Sequence, residues 1–266
     1  VLATGYNIVD VEAAKTLGIK VANIPSYGTA AVAQFAIALL LELCHHVGEH
    51  SDCVKAGEWT PNQDWCFWKH PLVELAGKNF GVIGFGRIGQ RTAQIAQAFG
   101  MKILAFDEYP NKALETENCR YVSLDQLLAQ SDVITLHMPL LDSNRHIINR
   151  ESIAKMRDGV VIVNCSRGEL ADIEALIEGI ETGKIGALGM DTVEGDEGII
   201  HADHRVDILP NRNWFYLHQF RNVIMTQHMA FYTDAAVSSM VDCGIGGICQ
   251  MAAGESCPTE LTGPVQ

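Results

Sequence analysis

The chain has 266 residues, 48% of them hydrophobic and 19% charged, enough for one or two domains with a large core. Its net charge of −13 argues against nucleic acid or an anionic membrane as partner, and leaves room for a local basic site that receives a small acid. The eight cysteines include no CxxC pair and several lie in apolar runs, which predicts reduced thiols, a cytoplasmic setting and no disulfide framework.

In chain order, "VLAT" reads as a strand from its first residue, "VDVEAAKTLG" as an amphipathic helix and "KVANIP" as a second strand. A lone strand-helix-strand unit makes no core of its own. These elements are therefore expected either to follow a missing front portion or to complete a domain supplied from elsewhere. The run from Ala31 to Cys44 is too short to span a bilayer, carries Gln34 and Glu42, and reads as a buried helix. Beyond it "HHVGEH" reads as a polar helix end. The segment up to residue 78 holds Trp59, Trp65 and Trp68 and reads as an arm, packed on a second subunit or on a satellite core.

From Asn79 strand and helix alternate. "FGVIGF", "KILAFD", "DVITLHM", "VVIVNC", "GALGMD" and "NVIMTQ" are nearly continuous apolar runs, as strands covered on both faces require. "RIGQRTAQIAQAFG", "SLDQLLAQS", "RESIAKMRDG" and "DIEALIEGIETGK" have helical periodicity. Six such strands with crossover helices predict an α/β fold built on a doubly wound parallel Rossmann sheet. The final stretch from Thr233 is helical at first and then rich in glycine.

Gly84-x-Gly86-x-x-Gly89 follows the first of these strands and opens a helix. Gly84 permits the tight turn, Gly86 lets a pyrophosphate reach the backbone, and Gly89 lets helix and strand pack closely. Asp107, eighteen positions after Gly89, ends the next strand, where a carboxylate would accept hydrogen bonds from ribose hydroxyls. An acid there repels a 2′-phosphate, so NAD is expected rather than NADP.

Arg167, the acidic run "MDTVEGDEG" and His228 sit at the C-terminal ends of later strands, where ligands of open α/β sheets bind. A guanidinium would hold the carboxylate of a 2-keto acid through a planar fork. An imidazole would donate the proton as hydride arrives, with a nearby carboxylate to orient it. "HADHR" (His201, Asp203, His204) lacks a further ligand set of matching spacing and reads as a polar insertion loop, so no metal is expected.

The stretches "ATGYNIVDVEAAKTLGI", "GKNFGVIGFGRIGQRTAQIAQAFGMKILAFD", "SDVITLHMPL", "VIVNCSRGEL" and "TQHMAFYT" together resemble the D-isomer-specific 2-hydroxyacid dehydrogenases, in order, over nearly the whole chain. The resemblance implies an NAD-binding Rossmann domain over 29–228. It also implies a second, incomplete flavodoxin-like substrate domain from 1–28 and 229–266, incomplete because the family carries a further front segment. Arg167 would bind the substrate carboxylate, and His228 would be the acid/base. Asp191 would meet the nicotinamide end of the cofactor. The family's catalytic glutamate falls on Asp196, a departure by one methylene. His137 and Pro139 match an H-x-P turn beside the cofactor, which Arg87, Ile88, Cys165 and Ser166 would also line. The backbone of Thr4 and Gly5 would help hold the substrate carboxylate. A homodimer is implied. The front half is most similar to glycerate dehydrogenases (hydroxypyruvate reductases) and the back half to D-lactate dehydrogenases, which favours pyruvate-like acids. The contrasting reading is an NAD-binding scaffold or corepressor-like sensor; the missing front segment and Asp196 favour it, and retention of Arg167 and His228 favours the enzyme.

Overall fold

The computed structural model describes residues 1–6, 8–196, 199–200, 203 and 211–263. Its elements in chain order are α1 (Val11–Thr16), α2 (Thr29–His45), α3 (Val47–Lys55), β1 (Asn79–Ile83), α4 (Arg87–Ala98), β2 (Lys102–Phe106), β3 (Cys119–Tyr121), α5 (Leu124–Gln130), β4 (Val133–Leu136), α6 (Arg150–Lys155), β5 (Val160–Asn164), α7 (Ile173–Glu181), β6 (Ile185–Met190), α8 (Arg212–His218), β7 (Val223–Met225) and α9 (Asp234–Ala252). They divide into a larger unit, Ala33–Ala230, and a smaller one, Val1–Val32 with Phe231–Gln266.

In the larger unit all seven strands are parallel, in the order β3-β2-β1-β4-β5-β6-β7. Six strands were expected; the seventh, β3, is a three-residue edge strand of which only Cys119 is buried. The chain leaves β1 toward β2 on one side and continues through β4 on the other, so the sheet's switch point lies between β1 and β4, where ligands bind in this architecture. Every residue of β4 is buried, and so are all but the first of β1. Leu127, Leu128, Ile134, Leu136, Ile162 and Leu188 pack into one core at 0–1% exposure, so truncating any one to alanine would cost about 2–5 kcal/mol.

The expected buried helix is α2, with seven of its residues buried. It does not end in a frayed polar stretch, because a further helix follows. His46 takes a left-handed conformation (φ 49°, ψ 41°), and α3 leaves at 58° to α2. Glu42 accepts a hydrogen bond from the Gly48 backbone N–H at 3.1 Å, satisfying one orphan donor of the new helix. The arm after α3 has no helix or strand before β1, and Trp59, Trp65 and Trp68 are exposed.

In the smaller unit the two expected strands do not form. Val1 donates its N-terminal N–H to Ala22 O, Ile24 N–H to Ala3 O, and Thr4 Oγ1 to Ile24 O, with a single antiparallel bridge between Ala22 and Glu260. Two short segments with no neighbouring strands bond to each other without making a sheet. The helix expected between them is α1, N-capped by Asp10. α9 runs straight through the glycine-rich stretch. Gly244 explains why: a Cβ there would lie 2.7 Å from Leu2 Cδ2, so the glycine admits the N-terminal segment against the helix. Val241, Ile245 and Ile248 form an exposed apolar stripe along α9.

Candidate active site

The glycine turn stands at the C-terminal end of β1. Gly84 has φ +93°, and a Cβ there would sit 2.7 Å from the His137 carbonyl, so both conformation and space demand glycine. A Cβ on Gly89 would overlap the Gly84 carbonyl oxygen. Gly86 is the N-cap of α4, no side chain caps that helix, and the space where its Cβ would stand is open. Arg87 and Ile88 form the first turn behind it. An uncapped helix N-terminus fronted by open space is suited to a pyrophosphate.

Asp107 accepts hydrogen bonds from Phe85 N–H at 2.7 Å and Tyr109 N–H at 2.9 Å, one on each oxygen. Each oxygen keeps a lone pair for a ribose hydroxyl. His137 follows β4, its Nε2 3.0 Å from Thr135 Oγ1, while its buried Nδ1 has no partner among the described residues. Burial lowers its pKa to about 3, so the ring is neutral. An orphaned buried nitrogen, an uncapped helix end and a half-committed carboxylate around one switch point fit a dinucleotide. NADH should therefore bind at least about tenfold more tightly than NADPH, and Asp107→Ala should narrow that gap. Equal dissociation constants for the two in the wild-type chain would contradict the assignment.

The loop after β5 is built by Asn164, which is fully buried. Its Oδ1 accepts from Ser166 N–H at 2.9 Å and its Nδ2 donates to Arg167 O at 2.8 Å. Ser166 Oγ donates to Leu136 O, anchoring the loop to β4. Cys165 is buried, and burial, then the Asp191 charge, pushes its thiol pKa up, so it stands as an inert neutral wall. Arg167 is half-buried, donates from Nη1 to Ser166 O at 2.7 Å, and makes no ion pair among the described residues. A Cβ on Gly168 would overlap the backbone of Val193 and Glu194, so this loop lies directly against the acidic one.

Asp191, 1% exposed, accepts from Thr226 Oγ1 at 2.6 Å and Met229 N–H at 2.9 Å on Oδ1, and from Ala230 N–H at 2.8 Å on Oδ2. Its carbonyl accepts from His228 N–H at 2.9 Å. The strap 226–230 is thus lashed to the end of β6. His228 sits on it at φ +53°, its imidazole exposed and without a hydrogen bond among the described residues.

The expected pairing of Asp196 with His228 is absent. Gly195 (φ +81°) reverses the chain, and the Asp196 carboxylate turns back onto its own loop, accepting from Val193 N–H at 3.4 Å. Glu194 is engaged by His146 Nε2 at 2.6 Å and Arg145 Nη2 at 2.9 Å. Glu197, His201 and His204 lie outside the described residues. In the smaller unit, Thr4 and Gly5 have backbone N–H groups that make no hydrogen bond among the described residues. Pro139 is exposed, its carbonyl accepting from Asn144 Nδ2. Asn164, Gly168 and Thr226, which hold the others in place, were not singled out in the sequence. A polar residue closing an apolar strand is the signal that marks Asn164.

A dinucleotide cradle with a guanidinium unpaired among the described residues and an imidazole on a lashed strap, both at the strand ends, defines an NAD-dependent oxidoreductase of small acids. Residues 37–230 match the family model described as D-isomer specific 2-hydroxyacid dehydrogenase, NAD binding domain. The chain belongs to the D-isomer-specific 2-hydroxyacid dehydrogenase family. It is 58% identical over 219 residues to a hydroxypyruvate reductase of Blautia hydrogenotrophica, covering 80% of this chain and 68% of that one. With a D-lactate dehydrogenase of Escherichia coli it shares 37% identity over 257 residues, 97% of this chain and 76% of the relative. The structure of D-lactate dehydrogenase from Aquifex aeolicus, complexed with NAD and lactic acid, superposes with a TM-score of 0.88 at 33% identity, covering 99% of this chain and 79% of that one. These relatives are named as enzymes, which favours a dehydrogenase over a scaffold.

Proposed function

We propose that the chain reduces a small 2-keto acid to the D-2-hydroxy acid, with pyruvate as the preferred substrate. The observation that carries this is Arg167, half-buried at a sheet end with its charge unpaired among the described residues, as a group awaiting an anion should be. The bound dinucleotide supplies the hydride; the rest falls to this chain. Arg167 holds the substrate carboxylate through a bidentate pair. His228 Nε2 or Nδ1 delivers a proton to the carbonyl oxygen and recovers it in the reverse direction. Asp196 is the carboxylate we assign to orient His228 when substrate is bound.

Pyruvate is placed first because the D-lactate dehydrogenase of Escherichia coli aligns with 97% of the chain. A second reading, hydroxypyruvate, has the 58% identity to the Blautia hydrogenotrophica reductase behind it. We also infer a cytoplasmic homodimer. The eight free cysteines support the compartment, and the exposed tryptophans of the arm support the contact.

The test is NADH oxidation with pyruvate, hydroxypyruvate and phenylpyruvate, run on wild type and Arg167→Lys. Wild type should turn over pyruvate with the highest kcat/KM. Lysine offers a point charge in place of a planar fork, so Arg167→Lys should raise the keto-acid KM by roughly 10- to 100-fold and leave NADH affinity unchanged. An unchanged KM would mean that the carboxylate is held elsewhere.

A further inference from the structure

We propose that His46, Glu49 and His70 form a binding site for a borderline divalent cation of the zinc class, a site separate from the groups that serve the reaction. Each residue offers one ligand atom, and the three atoms lie within 4.8 Å of one another. The two imidazole rings are 4.5 Å apart, tilted by 38°, and His70 Nε2 is 3.1 Å from Glu49 Oε2. A tetrahedral zinc with bonds of about 2.0–2.1 Å has ligand edges of roughly 3.4 Å, so adjusting side chains by about an ångström closes the site. Two imidazoles and one carboxylate select zinc, cobalt or nickel over magnesium and calcium, which prefer all-oxygen shells. Three protein ligands leave the remaining position to water.

The backbone is arranged to bring these groups together. His46 is one of three non-glycine residues with positive φ among the described residues, and it occupies the break between α2 and α3. Such a conformation costs about 1–3 kcal/mol and persists where the surroundings impose it. The break places His46 three residues before Glu49 at the start of α3, the spacing that puts two side chains on one helix face. The third ligand comes from the far end of the arm, and His50 braces it. His50 Nε2 accepts from Lys69 N–H at 3.3 Å, so Nδ1 carries the proton and donates to His46 O at 2.8 Å. One ring therefore ties the backbone beside His70 to the backbone of His46. It spends both nitrogens doing so and is a positioning residue, not a ligand. A bound cation would clip residues 56–69 to α3.

The experiment is titration calorimetry of the untagged full chain with Zn²⁺, its exposed Cys66, Cys243 and Cys249 alkylated beforehand. We expect one Zn²⁺ per chain and no heat with Mg²⁺. His70→Gln should weaken binding at least about tenfold, and so should His46→Asn, in which asparagine tolerates the left-handed backbone. The double variant should bind none. His50→Phe should weaken binding by about 10- to 100-fold, the range for residues that orient ligands. His45→Gln, one residue earlier, should leave it unchanged. Thermal midpoints in EDTA close to wild type would establish that the variants fold. In wild type alone, Zn²⁺ should then raise the midpoint and slow hydrogen exchange across 56–69. Absence of Zn²⁺ binding in wild type, or equal binding in the double variant, would overturn the proposal.

Discussion

His228→Asn should lower kcat for keto-acid reduction by about 10²- to 10⁴-fold, the range for loss of a positioned general acid, with NADH affinity unchanged. Asparagine is the informative replacement because residue 228 has φ +53°, which asparagine adopts more readily than alanine does. The strap thus keeps its course, and only the proton donor is lost. Wild type should show a limb in its pH–rate profile that the variant lacks. His137 contributes nothing to it, since burial holds its pKa at about 3. If Asp196 reaches His228 in the ternary complex, Asp196→Asn should move the limb toward acid, because removing a neighbouring anion lowers an imidazole pKa. A profile indifferent to both substitutions would place the acid/base elsewhere.

Asp191→Asn should be the most damaging single-atom change in the larger unit. The buried carboxylate accepts from one hydroxyl and two backbone N–H groups. An amide keeps one accepting oxygen and turns an NH₂ toward a donor, so at least one buried donor loses its partner. A cost of roughly 2–4 kcal/mol follows, or a fall in Tm of roughly 5–15 °C for a unit of this size. Activity should fall with it, because the same bonds set the position of His228. Thr226→Val removes only the hydroxyl and should cost about 1 kcal/mol. Thermal melts, with hydrogen exchange at 228–230, would check both; an Asp191→Asn protein as stable as wild type would show that the strap is held by other contacts.

The sheet of the larger unit was legible because buried parallel strands are apolar runs, and helices of the periodicity seen at α4 and α7 can be nothing else between them. β3 was not legible, since three residues with one buried cysteine carry no period. α3 was hidden by its polar histidines, and α9 by glycines that serve packing. "VLAT" and "KVANIP" have strand-like composition, but a strand is made by its neighbours, and among the described residues these make only scattered bonds and a single bridge. In the site, the glycine turn, Asp107, Arg167 and His228 were readable because strand ends fix where such residues stand. The direction of Asp196 was not, because it depends on the reversal at Gly195 and a bond to its own loop. The His46, Glu49 and His70 cluster was equally silent, as its third member lies at the far end of an irregular arm.

The contact at Gly168 has a practical consequence for anyone retargeting this enzyme to bulkier acids. The acidic loop is an obvious place to vary, yet its 193–194 backbone rests on the Cα of the residue that follows Arg167. An insertion or a bulky turn there would push the guanidinium off its post before it reshaped any pocket. Libraries built on this scaffold should hold Gly168, Val193 and Glu194 constant and draw their diversity from other parts of the chain.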